Sequence, residues 1–383
     1  MSDNCETATR YEVACYHWSN WHRSPENDRQ IGKDWTEWEY VKTAIPRFVG
    51  HQQPKKPLWG YLDDSLPEVA ELQIDAAADH GITAFIFDWN WVPDDGEGGH
   101  SNLALNQGFL NAKNRDRLKF CLMWCGAADD AAFDYIIEQY FSSDRYLRVD
   151  GGLYLSIYNL QDITTSYGGL APAAAAFSRF REKTRAAGLG EIHLNIIEWS
   201  LQEDNPFLAG DPAELIRAFA FDSVGTYTWA HNTSPQNGLS GSYREWMEDS
   251  TAIMGVLKDK FPIPYHPNVS MGWDPSPRCP ADRIYKIGGP LMYPKIDGGY
   301  DIVFETYLSS IVCDNSPDEF RRALLAARKQ TDADERLCTK LITLYAWNEW
   351  TEGGFLEPEA EFGMGYLEAI RDVFPPCERE IKK

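Results

Sequence analysis

The chain has 383 residues, 43% of them hydrophobic, enough for a large core, and 13% aromatic, with 14 Trp. Its formal net charge of -22 argues against a nucleic-acid partner, whose phosphates would be repelled, and against a heavily sulfated polyanion. No apolar run approaches the roughly 18 residues that span a bilayer, so no membrane partner is expected.

The chain opens with MSDNCETATR, polar and acidic and without the apolar stretch of a secretory leader. The expected compartment is the cytoplasm, or the periplasm or exterior if a leader has been removed. A first β-type run covers 11–16 (YEVACY), followed by a long connection over 17–66. A helix is expected over 67–80, opening on a proline in its first turn and stopping at Gly81. Strand-like runs follow at 82–88 (ITAFIFD), 118–124 (LKFCLMW) and 153–158 (LYLSIY), then a helix over 172–187 that ends at Gly188. Further runs lie at 192–198 (IHLNIIE) and 223–227 (SVGTY), with an amphipathic helix over 243–260 and a strand over 264–271. A second long connection covers 272–316. After it come a helix over 317–329, a last strand over 342–347 (ITLYAW) and a closing helix over 363–373.

Most of these runs are continuously apolar, as in parallel strands buried on both faces. Strand–helix alternation repeated eight times predicts a (β/α)₈ barrel of the TIM type. Neither linker nor internal repeat divides the chain, so 1–383 reads as a single barrel catalytic domain. A doubly wound sheet would carry a glycine-rich turn after its first strand; here that place holds YHWSNWH, 16–22. Both long connections leave C-terminal strand ends, so they are expected on the catalytic face of the barrel.

Eight cysteines are scattered, and only Cys121 and Cys125 lie close together, in an apolar run without a second pair at zinc spacing. They read as buried free thiols. The eight His form no HxH or HExxH pattern, so neither metal nor cofactor is expected.

In a barrel the C-terminal strand ends face the active site. In chain order they hold Tyr16 and His17; Asp88, Trp89 and Trp91; Trp124; Tyr158; Glu198 and Trp199; Tyr227, Trp229 and His231; Trp273 and Asp274; and Asn348, Glu349 and Glu352. Aromatic faces stack on the C–H faces of sugar rings, and carboxylates and imidazoles bind hydroxyls. Taken singly, Asp88 or Glu198 could cap a helix or pair with an Arg. Taken together, the set describes a carbohydrate site.

The sharpest motif is AWNEWTEGGFLEP, 346–358. It sets Glu349 and Glu352 three residues apart in a turn directly after an apolar strand. Two carboxyl groups are the minimum for glycoside hydrolysis, and repulsion among Trp-rich surroundings should raise the pKa of one of them. Glu198 with Glu349 is a competing pair, with Asp88 a third candidate.

These residues, with PENDRQIGKDWTEW (25–38), PRFVGHQQPKKP (46–57), GWDPSPR (272–278) and GMGYLEA (363–369), make the chain resemble the glycoside hydrolase family 99-like, or WbsX-like, proteins from about residue 16 to 367. The resemblance implies a (β/α)₈ barrel and retaining hydrolysis of a manno-configured (mannose or rhamnose) linkage in an oligo- or polysaccharide. It implies that Glu349 acts as base on the substrate 2-OH, giving a 1,2-anhydro sugar, and that Glu352 acts as general acid and then base. Glu37, in the first of these stretches, joins the substrate-binding residues. The chain departs from the pattern after its first strand, where the usual proline and glutamine are missing, and at Asp88, where an aromatic is common. Two alternatives stand beside hydrolysis: a glycosyltransferase of O-antigen-type polysaccharide biosynthesis, and a non-catalytic glycan-binding barrel. Asp63-Asp64 and Asp94-Asp95 are loop acids and make no convincing metal motif for the former.

Overall fold

The computed structural model describes residues 11–92, 99–201, 211–234, 239–279, 293–294, 300–301 and 310–376. The central sheet is built from β1 (Tyr11–His17), β2 (Ala84–Asn90), β3 (Lys119–Cys125), β4 (Gly152–Ile157), β5 (Ile192–Ile197), β6 (Ser223–Gly225), β7 in two pieces (Tyr265–His266 and Asn268–Ser270) and β8 (Lys340–Tyr345). Each strand from β1 to β6 pairs in parallel with the next, β6 pairs with Tyr265–His266, Asn268–Ser270 pairs with β8, and β8 pairs with β1.

The two edges of the sheet are therefore the two halves of β7, and the sheet nearly closes on itself. Pro267 separates them because it has no N–H to give the ladder. Its carbonyl still accepts from Thr343 N at 2.9 Å. This is the (β/α)₈-type barrel that the alternation predicts.

Barrel helices cover the sheet: α1 (Pro67–Asp79), α2 (Asp130–Ile136), α3 (Leu170–Ala186), α4 (Pro212–Phe219), α5 (Tyr243–Lys260), α6 (Pro317–Asp332) and α7 (Gly365–Val373). Between β2 and β3 their place is taken by short irregular turns over 100–111. Proline in the first turn starts α1, α4 and α6, where a missing N–H costs nothing. Side chains finish two of these starts: Asp211 accepts from Ala213 N at 3.0 Å and Ser316 from Glu319 N at 3.4 Å. The sequence reading missed α2 and α4, which are only 7 and 8 residues long. Helices that short show barely two turns of periodicity.

Strand alternation separates two layers. Phe85, Phe87 and Trp89 of β2 face the helices, where both Phe rings pack on Phe109 and Trp89 packs on Tyr140. The barrel interior is polar, and several of its groups satisfy one another. Ser156 donates to Asn195 at 2.8 Å, Asn195 to Ser223 at 2.9 Å and Asn268 to Thr343 at 3.1 Å. No helix among the described residues is long and apolar enough to cross a membrane.

Candidate active site

The site grows from the turn after β8. Asn348–Glu349 pairs antiparallel with Gly354–Phe355, so the intervening residues form a tight hairpin turn. A Cβ on Gly354 would lie 2.2 Å from Tyr345 Cε1. The bare backbone there leaves room for the Tyr345 ring, whose hydroxyl donates to Glu352 Oε2. Asn348 clamps this turn to the segment after β1: it accepts from Trp18 N at 2.8 Å and donates to Trp18 O at 2.8 Å.

One guanidinium organises the acids. Arg278 Nη1 bonds Glu352 Oε1, while Nη2 lies 3.4 Å from Glu349 Oε2 and 3.1 Å from Glu37 Oε1. Glu37 is held further by Thr351 Oγ1 at 2.7 Å and by the Trp18 indole N–H at 2.7 Å. Arg278 stands in the turn Ser276–Arg278, which Arg47 grips through the carbonyls of Ser276, at 3.2 Å, and Cys279. The two long connections are thus tied to each other over the end of β8. His51 and Gln53 of the first reach Asp274 of the second at 2.8 and 2.6 Å.

On its other side Glu349 accepts from the Tyr227 hydroxyl at 2.9 Å, and the same oxygen of Tyr227 lies 3.2 Å from Asp88 Oδ2. Glu349 and Asp88 are 3% and 4% exposed. Burial pushes the Glu349 carboxyl well above the usual carboxylate range; Glu352, Glu37 and Asp88 push the same way, and Arg278 opposes them. Burial likewise pushes Asp88 up, helped by Glu352 and opposed by the Tyr227 hydrogen bond.

Beyond Tyr227 an aromatic wall continues around the rim. Tyr158 lies 5.2 Å from Trp199, 5.3 Å from Tyr227 and 6.0 Å from His231, measured between ring centroids. Glu198 accepts from Asn232, and burial pushes its carboxyl up to about 7. Asp88 Oδ1, Glu198 Oε2, Trp199 Nε1 and His231 Nδ1 are buried without a hydrogen-bond partner among the described residues. Tyr16 packs edge-on beneath Tyr227, and Trp273 stands half-buried 6.2 Å from the Tyr345 ring.

Several sequence-predicted residues are not brought to this site. Trp89 and Trp124 lie in the helix-side core, each the strand neighbour of an inward residue, and Trp91 stacks on Trp89. Trp229 is 3% exposed, with its indole N–H on Asn268 O at 2.8 Å, and packs on Tyr243 and Trp246. His17 sits between Phe85 and Phe87 on the helix side, where burial lowers its pKa to about 4. Asp274 and Asn348 spend their polar atoms on holding loops.

Conversely, the sequence reading missed Arg278, Tyr345 and Trp18. The signal for Arg278 was the GWDPSPR stretch itself; for Tyr345 it was strand alternation, which turns it to the same face as Thr343. Among the described residues no group of three or more His, Cys, Asp or Glu is placed to hold a metal ion. Cys121 and Cys125, both on β3, are free thiols.

Comparisons with known proteins agree with this architecture. The family model described as Glycosyltransferase WbsX matches residues 13–128 and 304–370, which include most of β1, β2, β3, Glu37, Asp88, Glu349 and Glu352. The protein named Uncharacterized protein WxcX, from two strains of Xanthomonas campestris pv. campestris, is 27% identical over 94% of this chain and 49% of its own length. The chain therefore spans about half the length of the curated relatives it matches. A solved structure titled Glycoside hydrolase-like protein superposes with a TM-score of 0.56 at 16% identity, over 96% of this chain and 95% of its own. The GH99 endo-alpha-mannosidase from Bacteroides thetaiotaomicron does so at 0.53 and 15%, over 96% and 97%. At such identities these two structures show the fold alone. Over the two matched segments the chain is thus similar to the WbsX family, and its barrel fold is like that of these two solved structures.

Proposed function

We propose that this barrel is a catalytic domain that hydrolyses a manno-configured glycosidic linkage with retention. Glu349 acts as base on the substrate 2-OH, and Glu352 acts as general acid and then base. The observation that carries this reading is that Glu349 and Glu352 both reach the same guanidinium of Arg278. They stand side by side on one cation, whereas a protein nucleophile and an acid work from opposite sides of the anomeric centre.

A neighbouring hydroxyl removes that demand. Glu349 takes the 2-OH proton, O2 attacks the anomeric carbon, and Glu352 gives its proton to the departing oxygen. Water then opens the 1,2-anhydro ring at the anomeric carbon, with its proton going to Glu352, while Glu349 returns the first proton to O2. The attacking atom is already held beside its target, with the advantage of an intramolecular step. The raised proton affinity of Glu349 suits a base that must work on an alcohol. Tyr158, Trp199 and His231 offer ring faces and unpartnered N–H groups to neighbouring sugar hydroxyls.

The glycosyltransferase description of the matching family supports a second reading, transfer to an acceptor hydroxyl in place of water. Aryl glycosides and oligosaccharides of mannose and rhamnose, run beside sugar-nucleotide donors, separate the two. Hydrolysis without a nucleotide donor is expected; turnover that requires one establishes the transferase. Incubation with an activated 2-fluoro glycoside should leave the protein mass unchanged. A stable adduct on Glu349, Glu198 or Asp88 would show a carboxylate nucleophile and defeat the 2-OH mechanism.

A further inference from the structure

The Tyr227 hydroxyl stands between two buried carboxyl groups, 2.9 Å from Glu349 Oε1 and 3.2 Å from Asp88 Oδ2. A phenol has one proton, and burial keeps Tyr227 in that form by pushing its own pKa far up. It can donate to only one of the two acids. The other contact is a hydrogen bond only if that acid carries a proton and donates to the tyrosine oxygen.

We infer that Asp88 is the protonated member, donating to Tyr227, which donates in turn to Glu349 and so holds Glu349 as the carboxylate. The charge belongs on Glu349 because the cation is there: Arg278 Nη2 lies 3.4 Å from Glu349 Oε2. Asp88 Oδ1, by contrast, is buried without a partner among the described residues, a poor place for a negative charge. The groups facing Glu349 are Arg278, Glu352, Glu37, Asp88, Tyr227, Tyr345, Tyr158 and Cys125; those facing Asp88 are Tyr227, Tyr16, Tyr158, Cys125, Glu349 and Glu352. The charged groups about Asp88 are thus acids, which disfavour ionising it as well.

This assignment deepens the reading of Glu349 as base, for it explains how a buried glutamate stays ionised among other acids. Asp88 acts through Tyr227 and is a positioning residue. The two hydrogen bonds can also reverse together. Tyr227 then gives its proton to Glu349 and takes one from Asp88, which leaves the tyrosine unchanged and moves one proton between the carboxyl groups.

The test is infrared spectroscopy of the free protein at mildly alkaline pH, above the range in which Glu198 and Glu357, each pushed up to about 7, titrate. A protonated-carboxyl C=O band is expected in the wild type and in Glu349→Gln, and it should vanish in Asp88→Asn. In Tyr227→Phe the band should persist at a shifted frequency, because the acid loses its acceptor. A band lost in Glu349→Gln but kept in Asp88→Asn would put the proton on the wrong acid. No such band in the wild type, or one unmoved by Tyr227→Phe, would overturn the relay. The spectrum needs no substrate. Failure to hydrolyse any glycoside with the Asp88 band present would sink the proposed reaction and uphold the proton assignment.

Discussion

Arg278 does two opposed things to the acids it touches. It gathers Glu37, Glu349 and Glu352 into one cluster, and it holds down the proton affinity that burial and mutual repulsion raise in Glu349. Removing the cation leaves only the raising effects. A base must be deprotonated to work, so activity appears as pH rises through its pKa. The acid limb of kcat/KM in Arg278→Gln should therefore move to higher pH, by roughly one to three units, the usual effect of one close opposite charge. Arg278→Lys, which keeps the charge, should move it less; a limb unmoved in both variants would disconnect Arg278 from Glu349. Glu352→Gln should lower turnover of natural glycosides at least about a hundredfold, with a smaller loss on substrates whose leaving groups need no proton. Equal losses on both kinds of substrate would remove Glu352 from the acid role.

At the scale of elements, the site is a loop assembly resting on a legible frame. The eight barrel strands could be read because parallel strands covered by helices are mostly apolar, even where single polar residues such as Ser156 and Asn195 point inward. The loop contacts could not, because they join residues far apart in the chain: Arg278 meets Glu37 across 241 positions and Glu349 across 71. Trp89 and Trp124 misled for a different reason. A strand end places successive side chains on opposite faces, so an inward Asp88 sends Trp89 outward. Asn348 shows what holds the assembly together, since its amide makes both contacts of a strand-like pair with the Trp18 backbone. Asn348→Ala leaves a buried N–H and a C=O without partners and should cost about 1–3 kcal/mol in denaturant unfolding. The loss should be accompanied by weaker activity, because Trp18 also carries Glu37. Wild-type stability in this variant would show that the loop after β1 is held elsewhere.

For the whole molecule the sensitive direction is acid. Burial lowers His17 and His231 to about 4 and His266 to about 3, so the folded protein keeps all three imidazoles neutral well below their ordinary pKa. The unfolded chain binds those protons at about pH 6.5. Between that pH and the folded values the unfolded state holds more protons, and stability falls as pH falls. His266 isolates the effect. Neither of its ring nitrogens has a partner among the described residues, so His266→Leu leaves no donor or acceptor stranded. The groups bearing on it are His193, Asp150 and Asp334. Substitution costs some packing at every pH, but it also removes one proton from the unfolding equilibrium. The stability of His266→Leu relative to wild type should thus improve as pH falls, with a slope approaching about 1.4 kcal/mol per pH unit and a gain of about 1.6 kcal/mol between pH 6.5 and 5. The net charge of -22 and its self-repulsion change with pH almost equally in both proteins, so the subtraction removes them. Urea unfolding of the two proteins across that range measures the difference. Parallel curves would mean that His266 is protonated in the folded state, and that the barrel interior around it is far better solvated than its burial implies.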